Sequence, residues 1–201
     1  MPRPRADKSA RRAELASAAA LVFAERGVAN TAVSDIVKAA GVAQGTFYLY
    51  FDSKDDVILA VVEQIADTMI ARIEAAVDAT GPSAAEKLRG LSDILMSFEE
   101  DPAIVDLAET LHTPHNAALH DRLEERLSPS LVPLVERIVA QGIAEGAFDV
   151  PDAHTAAWFV LGGLRSAELS GTGVGDMPAQ ILAVTELALR ALGYRDETQS
   201  R

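Results

Sequence analysis

The chain has 201 residues and a formal net charge of −12, contains no cysteine, and is 49% hydrophobic but only 5% aromatic. The lack of cysteine excludes disulfide scaffolds, thiolate metal sites and thiol nucleophiles, and the aromatic-poor, alanine-rich composition favours helices over sheets. Because no apolar run approaches the ~20 residues that span a bilayer, we expect no membrane segment and a cytoplasmic protein.

The charge is distributed unevenly along the chain. Residues 1–54 carry eight Lys/Arg against five Asp/Glu, whereas the remaining residues carry ten against twenty-five. This asymmetry fits a head that binds nucleic acid, joined to an acidic body that stays away from phosphate. A basic arm at the start either contacts a minor groove or phosphate, or only solubilises the terminus. Its cations are Arg3, Arg5, Lys8, Arg11 and Arg12.

Three amphipathic segments follow one another in the first fifty residues. The first has apolar residues at helical spacing over 15–23 and should end at Gly27. The second has an apolar stripe over 33–40 and should end at Gly41, where a left-handed backbone is needed. The third covers residues 43–51, with Phe47 and Phe51, four residues apart, as its expected buried side. Two short helices joined by a glycine turn, after a longer one, predict a three-helix helix-turn-helix headpiece.

The rest of the chain predicts a larger helical bundle. Ser53 and Asp56 have the spacing of a capping box, and the helix that they open should run to about Val77. Among the helices that follow, we expect the one over about 117–145 to be bent or interrupted by its two prolines, Pro129 and Pro133. The sequence therefore predicts an all-α fold of about nine helices. Its expected domains are 1–52, which binds DNA, and 53–201, which binds an effector and dimerises.

Residues 31–54, TAVSDIVKAAGVAQGTFYLYFDSK, resemble the signature of the tetracycline-repressor (TetR) family. In that signature a short helix, a glycine turn, a recognition helix with a TxYxYF-like core and a lysine at the next helix start follow in order. The stretch LVFAERG at 21–27 is similar to the end of the family's first helix. The resemblance covers about residues 10–60. It implies a ligand-responsive repressor that binds a palindromic operator in double-stranded DNA as a homodimer and is released by a small-molecule effector.

The polar residues of the third segment suit DNA recognition. Gln44 can pair with adenine, Gly45 lets the backbone approach closely, and Thr46 can offer a hydroxyl to phosphate or a methyl group to thymine. The tyrosines suit phosphate oxygens, and a lysine at a helix N-terminus forms an anion site. Because Ala32 lacks the hydroxyl that the family often has before its second helix, Thr31 or Ser34 is expected to replace it. The predicted DNA contacts are Thr31, Ser34, Gln44, Gly45, Thr46, Tyr48, Tyr50 and Lys54.

The body is expected to bind the effector among its apolar side chains and to dimerise. The predicted effector contacts are Ile65, Met69, Leu95, Phe98, Leu107, Leu111, His112 and Trp158. By resemblance, the last two helices pair with their mates in a four-helix bundle, and Gly162-Gly163 permits close approach; the alternative is ordinary packing within one chain. The pairing predicts a two-fold dimer that presents two heads to the operator.

No catalytic motif is present, because the GxSxG, HExxH and Walker A patterns are absent. We therefore expect no enzyme activity and no cofactor. Three of the four histidines, His112, His115 and His120, are clustered, but their spacing does not match a metal site, and no metal is expected. The alternative interpretation is a helical-bundle carrier or enzyme that does not bind DNA specifically. The identity of the effector, the operator sequence, the target genes and the sign of regulation stay open at this point.

Overall fold

The computed structural model describes residues 5–99, 101–111, 113, 117–169 and 177–195. Every regular element within these ranges is an α-helix, which confirms the predicted all-α fold of about nine helices. None of these helices is both long enough and apolar enough to cross a membrane. The helices are α1 (Arg5–Arg26), α2 (Val33–Ala39), α3 (Gln44–Phe47), α4 (Lys54–Asp78), α5 (Ala84–Glu99), α6 (Pro102–Leu111), α7 (Ala117–Ala144), α8 (Ala153–Leu169) and α9 (Met177–Ala191).

The helices belong to two compact units. The first unit comprises Met1–Asp67 and Asp101–Glu125, and the second comprises Thr68–Glu100 and Arg126–Arg201. Each unit has its own cluster of buried apolar side chains. Helices α4 and α7 each contribute one part to the first unit and the other part to the second.

The first unit is built on a core to which α1, α2, α3, α4 and α6 all contribute. Phe47 at the end of α3 is fully buried and lies next to Phe51, with ring centroids 5.4 Å apart. Phe23 from α1 and Ile36 from α2 are buried in the same cluster, as is Leu107 from α6. The expectation that Phe47 and Phe51 form the core of the headpiece is therefore confirmed.

Two glycines end the first helices, as the sequence predicts. Gly27 follows α1 with φ +77°, and Gly41 follows α2 with φ +65°. Both angles lie in the left-handed region, which residues with a Cβ rarely adopt. After Gly41, the backbone N–H of Val42 donates to the carbonyl of Val37 at 3.0 Å, which closes the end of α2. This turn is the one that a helix-turn-helix requires.

Helix α3 is shorter than the predicted segment over 43–51. It ends at Phe47, and the N–H of Tyr50 then donates to the carbonyl of Phe47 at 2.9 Å, a three-residue spacing. The N–H of Leu49 donates in the same way to Thr46 at 3.2 Å. Most residues within 45–50 have low helix propensity, because they include a glycine, a β-branched residue and three aromatic residues. The backbone therefore forms a turn with three-residue hydrogen bonds and does not continue the α-helix.

The second unit packs the later part of α4 with α5, the later part of α7, α8 and α9 around a separate cluster. Its most deeply buried members include Val139 of α7, Ala157 of α8 and Leu189 of α9. Helix α7 is continuous through Pro129 and Pro133, so the helix is not interrupted there, and the alternative of a bend stays a prediction. The two prolines are four residues apart and both exposed, so water can reach the carbonyls that lose their helical donors.

Candidate DNA-binding surface

The side of α3 opposite its buried phenylalanine carries the predicted recognition residues. Gln44 and Gly45 are exposed, and Thr46 is half-buried. In the turn after α3, Tyr48 is 52% exposed, whereas Tyr50 is half-buried against the core of the first unit. Ser34 on α2 is also exposed. The anchoring of α3 by Phe47 thus presents short and aromatic polar side chains to solvent, as a surface that enters a major groove requires.

Two other predicted contacts are engaged inside the first unit. Thr31 is only 3% exposed, and its hydroxyl donates to the carbonyl of Gly27 at 2.8 Å. The ammonium group of Lys54 donates to the carbonyl of Val28. The threonine hydroxyl has no second proton to offer, while the lysine retains two further N–H donors. Both side chains therefore stabilise the loop between α1 and α2, and this arrangement does not support their predicted DNA contacts.

The carboxylate of Asp35 binds the backbone at the start of α2. Oδ2 of Asp35 accepts a hydrogen bond from the backbone N–H of Ala32 at 2.9 Å, and Oδ1 accepts one from the guanidinium of Arg26 at 3.1 Å. A side chain in the first turn of α2 thus binds the backbone N–H of the residue before the helix, which is the half of a capping box that needs no hydroxyl at the N-cap. The loop and α2 are consequently held together as one piece.

The basic arm is part of α1, which begins at Arg5. Arg11 pairs with Glu14 one turn further on, and Arg12 lies 3.7 Å from Glu63 with its guanidinium 4.7 Å above the ring of Phe51. Lys8 is exposed, and Arg3 lies outside the described residues. Alanines at 6, 10 and 13 are strong helix formers, which accounts for the early start of α1.

Sequence analysis missed Leu49, which lies between the two tyrosines. Its side chain is 69% exposed beside Tyr48, on the same turn as the recognition residues. No pattern in the sequence marks this position, because a single exposed leucine is ordinary on a protein surface. The TxYxYF pattern treats this position only as a spacer. Leu49 adds an apolar group to an otherwise polar surface.

The predicted effector residues are divided between the two units. In the first unit, Ile65 packs against the core and Leu107 is buried within it, while Leu111 is the last residue of α6. In the second unit, Met69 packs against the core, and Leu95 and Phe98 are half-buried. Neither unit brings all of these residues together. His112 lies outside the described residues, as does His115.

A cation lies beside one group of the half-buried apolar residues. The guanidinium of Arg72 lies 5.2 Å from the ring centroid of Phe98, and it donates to the hydroxyl of Ser97 at 2.8 Å. Arg72 is itself exposed. The adjoining faces of α4 and α5 therefore combine incompletely buried apolar side chains with a positive charge.

Trp158 lies on a different surface of the second unit. It is 51% exposed on α8, and its indole N–H donates to Nε2 of His154 at 3.2 Å, while Nδ1 of His154 lies 2.8 Å from Glu136. Within the residues that the structure describes, no cluster of His, Cys, Asp and Glu could hold a metal ion.

Helices α8 and α9 pack together and expose large apolar side chains. Phe159 on α8 is 54% exposed, and Leu182 and Leu187 on α9 are 48% and 60% exposed. A Cβ on Gly163 would lie 3.2 Å from the side chain of Val184, so this glycine allows α8 to approach α9 closely. We call Trp158, Phe159, Leu182 and Leu187 the α8–α9 apolar face.

Comparison with known proteins gives relatives of one kind. A family model described as bacterial regulatory proteins, tetR family, matches residues 15–61. The HTH-type transcriptional repressor KstR2 of Mycolicibacterium smegmatis is 30% identical over 180 residues, which cover 81% of this chain and 86% of that protein. The fatty acid metabolism regulator protein of Bacillus subtilis is 32% identical over 136 residues, which cover 66% of this chain and 68% of that protein.

Solved structures share the fold. A TetR-family transcriptional regulator from Pectobacterium atrosepticum superposes with a TM-score of 0.71 at 26% identity, covering 94% of this chain and 97% of that one. The transcriptional regulator FadR of Bacillus subtilis, in complex with stearoyl-CoA, superposes with a TM-score of 0.62 at 26% identity, covering 88% and 96% of the two chains.

Proposed function

Since this chain belongs to the TetR family of bacterial regulatory proteins, we propose that it reads its operator with the turn after α3 as well as with α3 itself. The protein is a ligand-responsive, DNA-binding transcriptional repressor and not an enzyme. The functional division is proposed to follow the sequence prediction, with DNA binding in 1–52 and effector binding and dimerisation in 53–201.

The proposed contact surface rests on one observation, the exposed side of α3 opposite fully buried Phe47. Side chains on this side are free to approach base edges and phosphates without any change in the core. The proposed contacts are Ser34, Gln44, Gly45, Thr46, Tyr48, Leu49 and Tyr50.

Leu49 is proposed to contact a thymine methyl group, the one apolar feature of a base edge in the major groove. Burial of one methyl group contributes about 0.8 kcal/mol, roughly a fourfold change in affinity. Replacing the contacted thymine by uracil, in a duplex selected from a random pool, should therefore weaken binding of the natural protein about fourfold. In Leu49→Ala the same replacement should have no effect, because the methyl group has lost its partner.

Leu21 provides the matched control for this experiment. It is 68% exposed, almost the same as Leu49, but lies on α1. Leu21→Ala should bind the duplex as the natural protein does and should remain sensitive to thymine replacement. If the effects of Leu49→Ala and of uracil were simply additive at every thymine, the proposed contact would be wrong. If no duplex were enriched from the pool, specific DNA binding itself would be contradicted.

The α8–α9 apolar face is proposed to bind a second copy of the chain. Four large apolar side chains about half exposed on one pair of helices are unusual for a surface that faces only water. A two-fold axis would cover the same face on both copies, and it would give the dimer that a palindromic operator requires. The half-exposed position of Trp158 supports a role in this interface more than in an effector pocket.

The effector is proposed to be a compound with a long apolar chain and an anionic group, such as an acyl-CoA. Two observations support this: the complex of the similar FadR with stearoyl-CoA, and the position of Arg72 beside half-buried Phe98. A ligand that binds only the folded protein raises its stability, by about 2.7 kcal/mol at 100 times Kd. Stearoyl-CoA should therefore raise the melting temperature and release the duplex, whereas coenzyme A alone should do neither.

A further inference from the structure

The backbone of Val28 is held from two sides within the first unit. Its N–H donates to Oδ2 of Asp106 on α6 at 2.7 Å, and its carbonyl accepts the ammonium group of Lys54, the first residue of α4. The side chain of Val28 is buried in the core. Both hydrogen bonds join residues that are far apart in the sequence. We call Val28, Lys54 and Asp106 the Val28 clamp.

Stabilisation of α1 does not explain the position of Asp106. Its carboxylate lies at the C-terminal end of α1, where a Cβ on Gly27 would be 3.5 Å from Oδ2. The macrodipole makes this end of a helix negative, so a carboxylate there is unfavourable for the helix itself. The compensating interaction is the hydrogen bond with the N–H of Val28, which is charge-assisted and therefore strong.

The clamped loop is connected to the recognition helices by further hydrogen bonds. Thr31 binds the carbonyl of Gly27, and Asp35 in the first turn of α2 binds the N–H of Ala32. A displacement of Val28 must therefore be transmitted to α2, which is joined to α3 by the short glycine turn. If α3 contacts DNA as proposed, this loop helps to set its position.

We propose that Asp106 and Lys54 are positioning residues for operator binding, which hold the loop between α1 and α2 through the Val28 peptide and need not touch DNA. The inference rests on the proposed use of the α3 surface. It differs from the sequence prediction for Lys54, which assigned this residue to a DNA phosphate. It also gives Asp106 a role that no motif in the sequence indicates.

Asp106→Ala distinguishes a positioning role from a purely electrostatic one, because the two predict opposite changes in affinity for DNA. Removing an acid from a DNA-binding protein should strengthen its attraction to phosphate. Loss of the clamp should instead weaken binding of the selected duplex at least about tenfold, measured by fluorescence anisotropy. Glu109→Ala is the matched control, since Glu109 is an exposed acid three residues later on α6 and should give equal or tighter binding. Asp106→Asn retains an acceptor oxygen and should preserve most of the affinity.

Lys54→Met tests the second half of the clamp through the salt dependence of binding. A lysine that neutralises one phosphate contributes about 0.9 to the slope of log affinity against log salt concentration. If Lys54 acts through Val28, its replacement should lower affinity and leave this slope unchanged. The double variant with Asp106→Ala should bind little more weakly than either single variant, because both changes release the same peptide.

The outcomes distinguish the inference from the proposed function. Unchanged or tighter binding by folded Asp106→Ala, or a reduced salt slope in Lys54→Met, would overturn the inference alone. Failure of the natural protein to select any duplex would overturn the proposed function. Circular dichroism and sedimentation confirm the fold and the oligomeric state of each variant. If Asp106→Ala does not fold, the affinity of Asp106→Asn and the salt slope of Lys54→Met test the inference. A loss of affinity in Asp106→Asn as large as that in Lys54→Met would contradict the expectation that asparagine preserves the hydrogen bond to Val28.

Discussion

Replacement of Leu187 by alanine should dissociate the proposed dimer. Leu187 is 60% exposed on α9. Full burial of a leucine side chain contributes about 1.5–3 kcal/mol, so covering the part that remains exposed is worth roughly 0.9–1.8 kcal/mol in each copy. A two-fold axis doubles the effect, because the same side chain is buried twice. The expected loss is about 2–3.5 kcal/mol, which weakens the dimer roughly 30- to 300-fold.

Sedimentation velocity over a concentration series measures this change directly. The dimer dissociation constant of Leu187→Ala should rise by the stated factor, and circular dichroism should show unchanged helix content because the side chain is mostly outside the core. Leu21→Ala is the control, since it removes a leucine of similar exposure from α1. It should leave the dissociation constant unchanged.

Two results would refute the assignment of the α8–α9 apolar face. The first is an unchanged dimer in Leu187→Ala, which would mean that the chains associate through another surface. The second is an equal weakening in Leu21→Ala, which would mean that the loss of any exposed leucine acts nonspecifically. If the dimer weakens as expected, operator affinity should fall with it at low protein concentration, because a single head contacts only half of the palindrome.

Three further substitutions test the packing and capping of the helices. Gly142→Ala should destabilise the protein by about 1–3 kcal/mol in chemical denaturation, because the new Cβ would lie 2.1 Å from the ring of Phe148. Gly90→Ala, with open space at the same atom, should instead stabilise α5 by up to about 1 kcal/mol. For Glu86, hydrogen bonds from the backbone and then the side chain of Ser83 hold its pKa below the ordinary 4.5. The stabilisation is therefore present above pH 4.5 and lost as the pH falls through the lowered value. Glu86→Gln should melt below the natural protein at pH 7, and the difference should vanish in acid.

The features that sequence analysis predicted correctly are those determined by neighbouring residues. Gly27 and Gly41 end their helices because each adopts a left-handed conformation. One half of the capping box predicted at Ser53 is confirmed, since its hydroxyl accepts the N–H of Asp56 at 3.1 Å. The carboxylate of Asp56 accepts the N–H of Asp52 and not that of Ser53. The periodicity of apolar residues identified Phe47 and Phe51 as core. Each of these decisions depends on a few residues along the chain, which a sequence pattern contains completely.

The features that it missed depend on contacts between distant segments. Nothing near Thr31 in the sequence indicates that its hydroxyl turns towards Gly27 and away from solvent. Asp106 is separated from Val28 by 78 positions, so no local pattern relates the two. The continuity of α7 through Pro129 also depends on context, because a missing hydrogen bond is tolerated where water reaches the carbonyl.

The clamp also resolves the apparent conflict between an acidic chain and a DNA ligand. Within the first unit, three half-buried carboxylates accept backbone N–H groups: Asp35 from Ala32, Asp56 from Asp52, and Asp106 from Val28. Their charge is directed towards internal donors rather than outwards, so the count of acids overstates the negative potential at the recognition surface. The same groups that add negative charge to the first unit hold its loops in place. The net charge of the chain therefore describes neither the electrostatic potential at the recognition surface nor the structural role of the acids. Net charge alone predicts that Asp106→Ala binds DNA more tightly, whereas the Val28 clamp predicts that it binds more weakly.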